Sequence, residues 1–166
     1  MLFRSVKITE EVVKAAVGNE LRSQEVMKLL LDRRGDDVKI TEGVVEAAAG
    51  NKRSGQQVMK LLLSRRGDIV KVTEGMVRII VRSFDQEVIM LLLNQYEDDV
   101  KITEEVVKAA VGNEENGKGV VKLLLNRCGD DIKITEDVIK AAEGNEGVMA
   151  LFLDHRRGNP WMPLRS

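Results

Sequence analysis

Apolar and polar positions follow two recurring phrases along this chain. The first is Val6-Lys7-Ile8-Thr9-Glu10-Glu11-Val12-Val13-Lys14-Ala15-Ala16, and close copies begin at Val38, Val70, Val100 and Ile132. The second is an apolar triplet beginning at Leu29, Leu61, Leu91, Leu123 and Leu151. The aligned threonines, Thr9, Thr41, Thr73, Thr103 and Thr135, are spaced by 32, 32, 30 and 32 residues. From threonine to triplet the distance is 20, 20, 18, 20 and 16 residues, whereas from the end of a triplet to the next threonine it is always 10. Variation in length is tolerated in surface loops, so the variable half of each repeat predicts an exposed loop and the constant half a packed link. A period near 32 residues is the signature of stacked units that cannot bury their apolar faces alone.

Each phrase predicts a helix. Thr41 is suited to cap a helix start, because its hydroxyl can accept a first-turn N–H. Glu42 follows where the helix dipole favours an anion, and Ile40 and Val45 have the spacing of a hydrophobic staple. The helix runs through Val44, Val45, Ala47, Ala48 and Ala49 and meets the stop Gly50-Asn51, which recurs as Gly18-Asn19, Gly112-Asn113 and Gly144-Asn145. Glu10/Lys14, Glu74/Arg78, Glu104/Lys108 and Glu136/Lys140 have the favourable order for pairing one turn apart. The second phrase predicts a helix from about Gln24 to Arg34, stopped by Gly35. Its apolar set, Val26, Met27, Leu29, Leu30 and Leu31, makes a stripe too wide for one neighbour. A helix of this kind needs cover on both flanks, as in a stacked solenoid.

The connector Asp36-Asp37-Val38-Lys39-Ile40 is β-branched and alternating, the pattern of a short strand. Paired strands lie about 4.8 Å apart and stacked helices about 8–10 Å apart. We therefore expect an extended, unpaired connector in which Val38 and Ile40 plug the gap between repeats. The expected fold is all-α, a right-handed α-solenoid of five helix-turn-helix repeats. Their spans are about 6–37, 38–69, 70–99, 100–131 and 132–158, and 159–166 form a tail or cap.

The string Gly144-Asn145-Glu146-Gly147-Val148-Met149-Ala150-Leu151-Phe152-Leu153 resembles the middle of an ankyrin repeat, where a glycine turn precedes a Val-Val-x-Leu-Leu-Leu helix. The threonine-to-triplet distance of the last repeat also matches. The ankyrin Thr-Pro-Leu-His start is replaced here by Thr-Glu-Glu-Val, and the 10-residue link is too short for the protruding ankyrin hairpin. The resemblance covers Val6 to Gly158. The pattern is also similar to the degenerate repeats that follow ankyrin arrays in fungal NOD-like receptors of the NACHT type. That resemblance implies a sensor or scaffold region without the NTPase, and no Gly-x-x-x-x-Gly-Lys-Ser/Thr string is present.

Composition narrows the function. Lys+Arg total 26 and Asp+Glu 27, so the net charge of -1 gives no bulk attraction to nucleic acid or anionic membrane. One Cys and one His are too few for a disulfide framework or a Cys/His zinc site. No apolar run approaches the roughly 20 residues of a membrane span, and the start lacks a secretory signal pattern. A lone Cys fits a reducing compartment, so the expected location is cytoplasmic. No catalytic, cofactor or metal residue is assigned. Cys128 and His155 sit at equivalent helix ends of different repeats and read as substitutions in an arginine column.

The expected function is a non-catalytic protein-protein interaction scaffold that binds a protein partner or itself. The alternative is a self-assembling structural protein forming end-to-end or filamentous oligomers. Candidate binding residues fall into three groups. Arg33, Arg34, Arg65 and Arg66 belong to an arginine column, which also stands beside an acidic column (Asp36, Asp37, Asp68, Asp98, Asp99, Asp130, Asp131) with which inter-repeat ion pairs are expected. Phe84 and Tyr96 mark the third repeat, which has lost its alanines and its stop glycine and offers aromatic anchors. Leu2, Phe3 and Trp161 lie at the ends. Leu2 and Phe3 flank a first repeat whose Val12, Val13, Ala16, Val26 and Leu30 are expected to be partly open, and Trp161 is expected to fold back as a cap or to act as a peptide motif.

Overall fold

A computed structural model describes residues 7–65 and 70–158. Among the described residues the chain forms ten α-helices. They are α1 (Glu10–Val17), α2 (Ser23–Arg34), α3 (Glu42–Gly50), α4 (Gly55–Ser64), α5 (Glu74–Ser83), α6 (Gln86–Gln95), α7 (Glu104–Val111), α8 (Gly117–Cys128), α9 (Glu136–Ala141) and α10 (Glu146–Gly158). The odd helices pack in sequence, α1 on α3, α3 on α5, α5 on α7 and α7 on α9. The even helices do the same from α2 to α10, and the first four odd–even pairs also pack within their own hairpins. One contiguous core runs between the two rows.

All five threonines cap as expected. Each is extended, and each hydroxyl accepts the N–H three residues on, in Val12, Val44, Met76, Val106 and Val138. The same hydroxyls do a second job. Thr41 Oγ1 donates to Glu10 Oε1 at 2.7 Å, Thr73 to Glu42, and Thr103 to Glu74 at 3.2 Å. The first-turn glutamates thus reach forward to the next helix of their row. This displaces the pairing expected along single helices. Lys14 bonds Glu11 at 3.2 Å instead of Glu10, and only Lys108 retains its i,i+4 partner, Glu104, at 3.7 Å.

The stop glycines work differently from expectation. Gly18, Gly35 and Gly129 have right-handed backbone, and among the described residues Gly144 alone has positive φ, at 86°. The asparagine after the glycine turns the chain. Asn51 Oδ1 accepts the N–H groups of Arg53 and Ser54, and Asn113 Oδ1 accepts those of Glu115 and Asn116, so an Asx turn ends one helix and leads into the next. After Gly35 the chain makes a 3₁₀ turn, Gly35–Asp37, closed by a bond from Arg34 to Asp37.

The connectors are extended plugs. Val38, Ile40, Ile132 and Ile134 are buried, and among the described residues pairing between connectors is confined to one parallel bridge, Ile40 to Val70. Helix spacing keeps neighbouring connectors too far apart for a sheet. The variable loops are tighter than expected. Glu20, Leu21 and Arg22 are exposed, but Ser23 is buried, as are Gly55 and Gly117 at the same place. A Cβ built on Gly55 would lie 2.0 Å from Ala48 O, so the loop closes directly onto the end of the preceding helix. At the first repeat, Val13 and Ala16 are buried, against expectation, while Val12, Val26 and Leu30 are half-buried.

Candidate functional site

The outer face of the odd-helix row is built from the residues that do not enter the core. In α1, α3, α7 and α9 these are acidic first-turn residues, then Lys14, Glu46, Lys108 or Lys140, then an alanine and a stop glycine. In α5 the equivalent slots hold Arg78, Ile79 and Arg82. α5 runs one residue past this slot, to Ser83, whereas α3 ends on its stop glycine, Gly50. Met76, Val77, Ile80 and Val81 anchor α5 from below, all buried.

A groove of about 520 Å³ crosses this face, lined by α3, α5 and α7, with Arg78, Ile79 and Arg82 in its floor and Glu42, Glu46, Glu105 and Lys108 on its walls. Arg82 also lines an adjoining recess of about 190 Å³ with Lys52 and Glu115. Glu42 accepts the Thr73 hydroxyl, and Glu105 is 2.5 Å from Lys108, whose ammonium this bond holds above the ordinary lysine value. Arg78 and Arg82 are exposed and make no hydrogen bond or ion pair with any described residue.

The residues singled out from sequence do not form one site. Phe84 is 2% exposed, so it packs the core and is no surface anchor. It stands in the two-residue link between α5 and α6, which is shorter than the link between the helices of any other repeat. Tyr96 is half-buried and donates its hydroxyl to Arg65 O at 3.4 Å. Burial, then the charge of Asp99, pushes its phenol above the ordinary value. Arg33 is exposed, Arg34 pairs with Asp37 in its own repeat, and Arg65 pairs with Asp32 of the preceding repeat at 2.5 Å. For Arg65, pairing with the acidic column is therefore replaced. The backward partner is the residue after the leucine triplet, and Arg127 likewise donates to Asn94 at 2.8 Å. Arg66, Leu2, Phe3 and Trp161 lie outside the described residues.

Cys128 and His155 are brought together by the stacking, as both line a recess of about 230 Å³ with Asp130 and Asp131. The His155 ring packs on Gly129, and its buried Nε2 has no hydrogen-bond partner among the described residues. Burial, with Asp131, pushes the Cys128 thiol up, which keeps it protonated and a poor nucleophile at neutral pH. No group of three or more His, Cys, Asp or Glu is placed to hold a metal among the described residues, and no described helix is long and apolar enough to cross a membrane.

The residues that sequence reasoning missed are the asparagines. Asn51 Nδ2 donates to Val17 O at 2.8 Å and Ser23 Oγ at 3.3 Å, and Asn113 Nδ2 donates to Val81 O at 2.9 Å and Phe84 O at 3.0 Å. Each is buried and ties its repeat to the one before. Their recurrence after the glycine was the available signal. No curated protein and no solved structure matches this chain. A family model described as "Domain of unknown function (DUF7104)" matches residues 4–27, 29–59, 61–78, 91–120 and 123–149, and four of these five segments begin on a leucine triplet. With well over half its length matched in repeated segments, the chain belongs to the DUF7104 family.

Proposed function

We propose that this chain is a non-catalytic protein-interaction scaffold, a right-handed α-solenoid of five ankyrin-like repeats. The observation that carries this reading is the outer face of the odd-helix row. Threonine and glutamate side chains there tie neighbouring helices together, whereas Arg78 and Arg82 of α5 make no hydrogen bond or ion pair with any described residue. A surface that is held rigid from below and left unengaged above is suited to bind another macromolecule without reorganising. The recess at Cys128 does not favour catalysis, because burial raises the thiol above its ordinary value and the buried His155 Nε2 has no hydrogen-bond partner among the described residues.

Small-angle scattering and sedimentation test the architecture, and reconstitution tests the role. An elongated, curved particle is expected. A partner captured from extract should rebind, once purified, in a fixed stoichiometry measured by sedimentation. A compact spherical envelope, or loss of every captured partner on reconstitution, would overturn the reading.

A second reading is self-assembly. Leu29 and Leu153 are 57% and 50% exposed at opposite ends of the even-helix row, whereas Leu61, Leu91 and Leu123 (equivalents of Leu29) and Leu31, Leu63 and Leu93 (equivalents of Leu153) are more covered. Ends of this kind suit head-to-tail contact. Mass that rises with concentration supports it, and a strict monomer excludes it.

A further inference from the structure

We propose that the chain stacks head to tail on a second copy of itself: the open face of α1 and α2 docks on the open face of α9 and α10 of that copy, in the register that successive repeats use within the chain, with Arg33 paired to Asp154. This rests on the self-assembly reading and names its two faces and their register. The faces are defined by positions that open at one end only. Val12, Val26 and Leu30 are half-buried, whereas the matching residues of every other repeat (Val44, Val58 and Leu62 in the second) are buried. These positions lose cover where no described repeat precedes them, so they face backward. Ile139 and Met149 are half-buried and Leu153 is exposed, whereas Val77, Ile89 and Leu93 of the third repeat are buried. These positions lose cover where no described repeat follows them, so they face forward. Inside the chain each forward face packs under the next backward face, in one continuous core. A second copy sets the two remaining faces against each other as one more step of the same kind.

The polar ties supply charge complementarity and direction. Arg65 reaches back to Asp32, and Arg127 reaches back to Asn94. In both cases the arginine stands two residues after a leucine triplet, and its partner stands one residue after the preceding triplet. Arg33 holds this arginine slot at the backward end, and Asp154 holds the acceptor slot at the forward end. Both are exposed, and neither bonds a described residue. Thr41, Thr73 and Thr103 likewise donate to a glutamate of the repeat before, Glu10, Glu42 and Glu74. Thr9 is more exposed than the other four capping threonines and has no described glutamate behind it, while Glu136 has no described threonine ahead. Each unmet tie needs one residue from each end, so neither forms between like faces. The contact is therefore heterologous and adds copies one after another instead of stopping at a two-fold dimer.

Sedimentation velocity of the full chain over a concentration series tests this, with Leu29→Glu and Leu153→Glu each blocking one face. The mass of the parent is expected to climb past that of a dimer. Each variant alone should stay a monomer. An equimolar mixture of the two should stop at a dimer, because only one sound face of each kind remains. Arg33→Glu and Asp154→Arg should each weaken association about threefold or more, and the double swap R33E/D154R should restore it. Both leucines are exposed, so unchanged unfolding midpoints are expected, and the charge-reversal series decides if a leucine variant unfolds. A strict monomer at about 1 mM would overturn this proposal together with the self-assembly reading, and would assign these faces to an occupant other than a second copy. A parent that stops at a dimer, growth by either leucine variant alone, or a double swap no better than the single ones would remove the head-to-tail register while leaving self-assembly standing.

Discussion

The third and fourth repeats solve the same problem in opposite ways. In the fourth, Asn113 reaches back, and its amide donates to Val81 O and Phe84 O of the third repeat. In the third, Asp85 has no amide to donate. Its carboxylate caps α6 by accepting the Val88 N–H at 3.0 Å, while its backbone N–H donates to Gln56 Oε1 of the second repeat at 3.2 Å. The tie between repeats survives, but the side chain that makes it has moved to the other partner. Phe84, in the shorter turn, is buried in the core, and α5 runs one residue longer than α3, with Arg82 exposed near its end. One local change thus alters the core below and the exposed face above.

The largest expected effect comes from the core half of this comparison. Phe84→Ala should cost about 3–5 kcal/mol in urea unfolding, as for other buried aromatics cut to alanine. Leu62→Ala, at a fully buried triplet position, should cost about 2–5 kcal/mol, and Leu61→Ala, half-buried, clearly less. A Phe84 variant as stable as the parent would show that the ring is not part of the core.

Exchange of the turn residues comes next. Asn113→Asp removes the donor that satisfies two buried carbonyls and places a carboxylate beside them, so a loss of about 1–3 kcal/mol is expected. Asp85→Asn keeps the capping oxygen and should cost less than about 1 kcal/mol. Equal losses would mean that the two turns are interchangeable.

The capping threonines should come lower. Thr73→Val removes the cap on α5 and the bond to Glu42 together, and a loss of about 1 kcal/mol is expected. Glu42→Gln keeps an acceptor for the hydroxyl and should lose less, measured in the same unfolding series.

The smallest effect is on ionisation. Tyr96 and Cys128 occupy one slot in successive repeats, and each is raised by burial first and then by an aspartate, Asp99 or Asp131. As the chain has a single Tyr, absorbance titration reads Tyr96 alone. Its midpoint should lie above about 10 when folded and fall to about 10 in urea. Because the folded phenol holds its proton more tightly, its contribution to stability is present at neutral pH. That contribution is lost as pH rises from the unfolded midpoint through the folded one. A folded midpoint at or below that of the unfolded chain would contradict this.

Much of the fold was legible. Thr41 and its four equivalents announced helix starts because a cap is a local interaction, completed within four residues. The constant 10-residue link announced packed connectors, and Val38, Ile40, Ile132 and Ile134 are buried in them. The site was far less legible. The loss of alanines in the third repeat was visible, but Phe84 and Tyr96 stood out for their size, whereas Arg78 and Arg82 look like ordinary helix-surface residues. Only the contacts show that Arg78 and Arg82 make no hydrogen bond or ion pair with a described residue, while Glu42 and Glu105 beside them are bonded to Thr73 and Lys108.

By itself, then, the sequence determined what depends on neighbours along the chain: helix starts, apolar faces, the period and the place of the variable loops. The tertiary structure alone decided what depends on residues about 30 positions away. It directs Glu10 to Thr41 instead of Lys14, Arg65 to Asp32 instead of the acidic column, and Asn113 to the turn before it. A polar side chain on a repeat surface has several partners at similar distance in sequence. Which one it takes is set by how far successive repeats stand apart and how they are turned, and no residue pattern specifies that geometry locally.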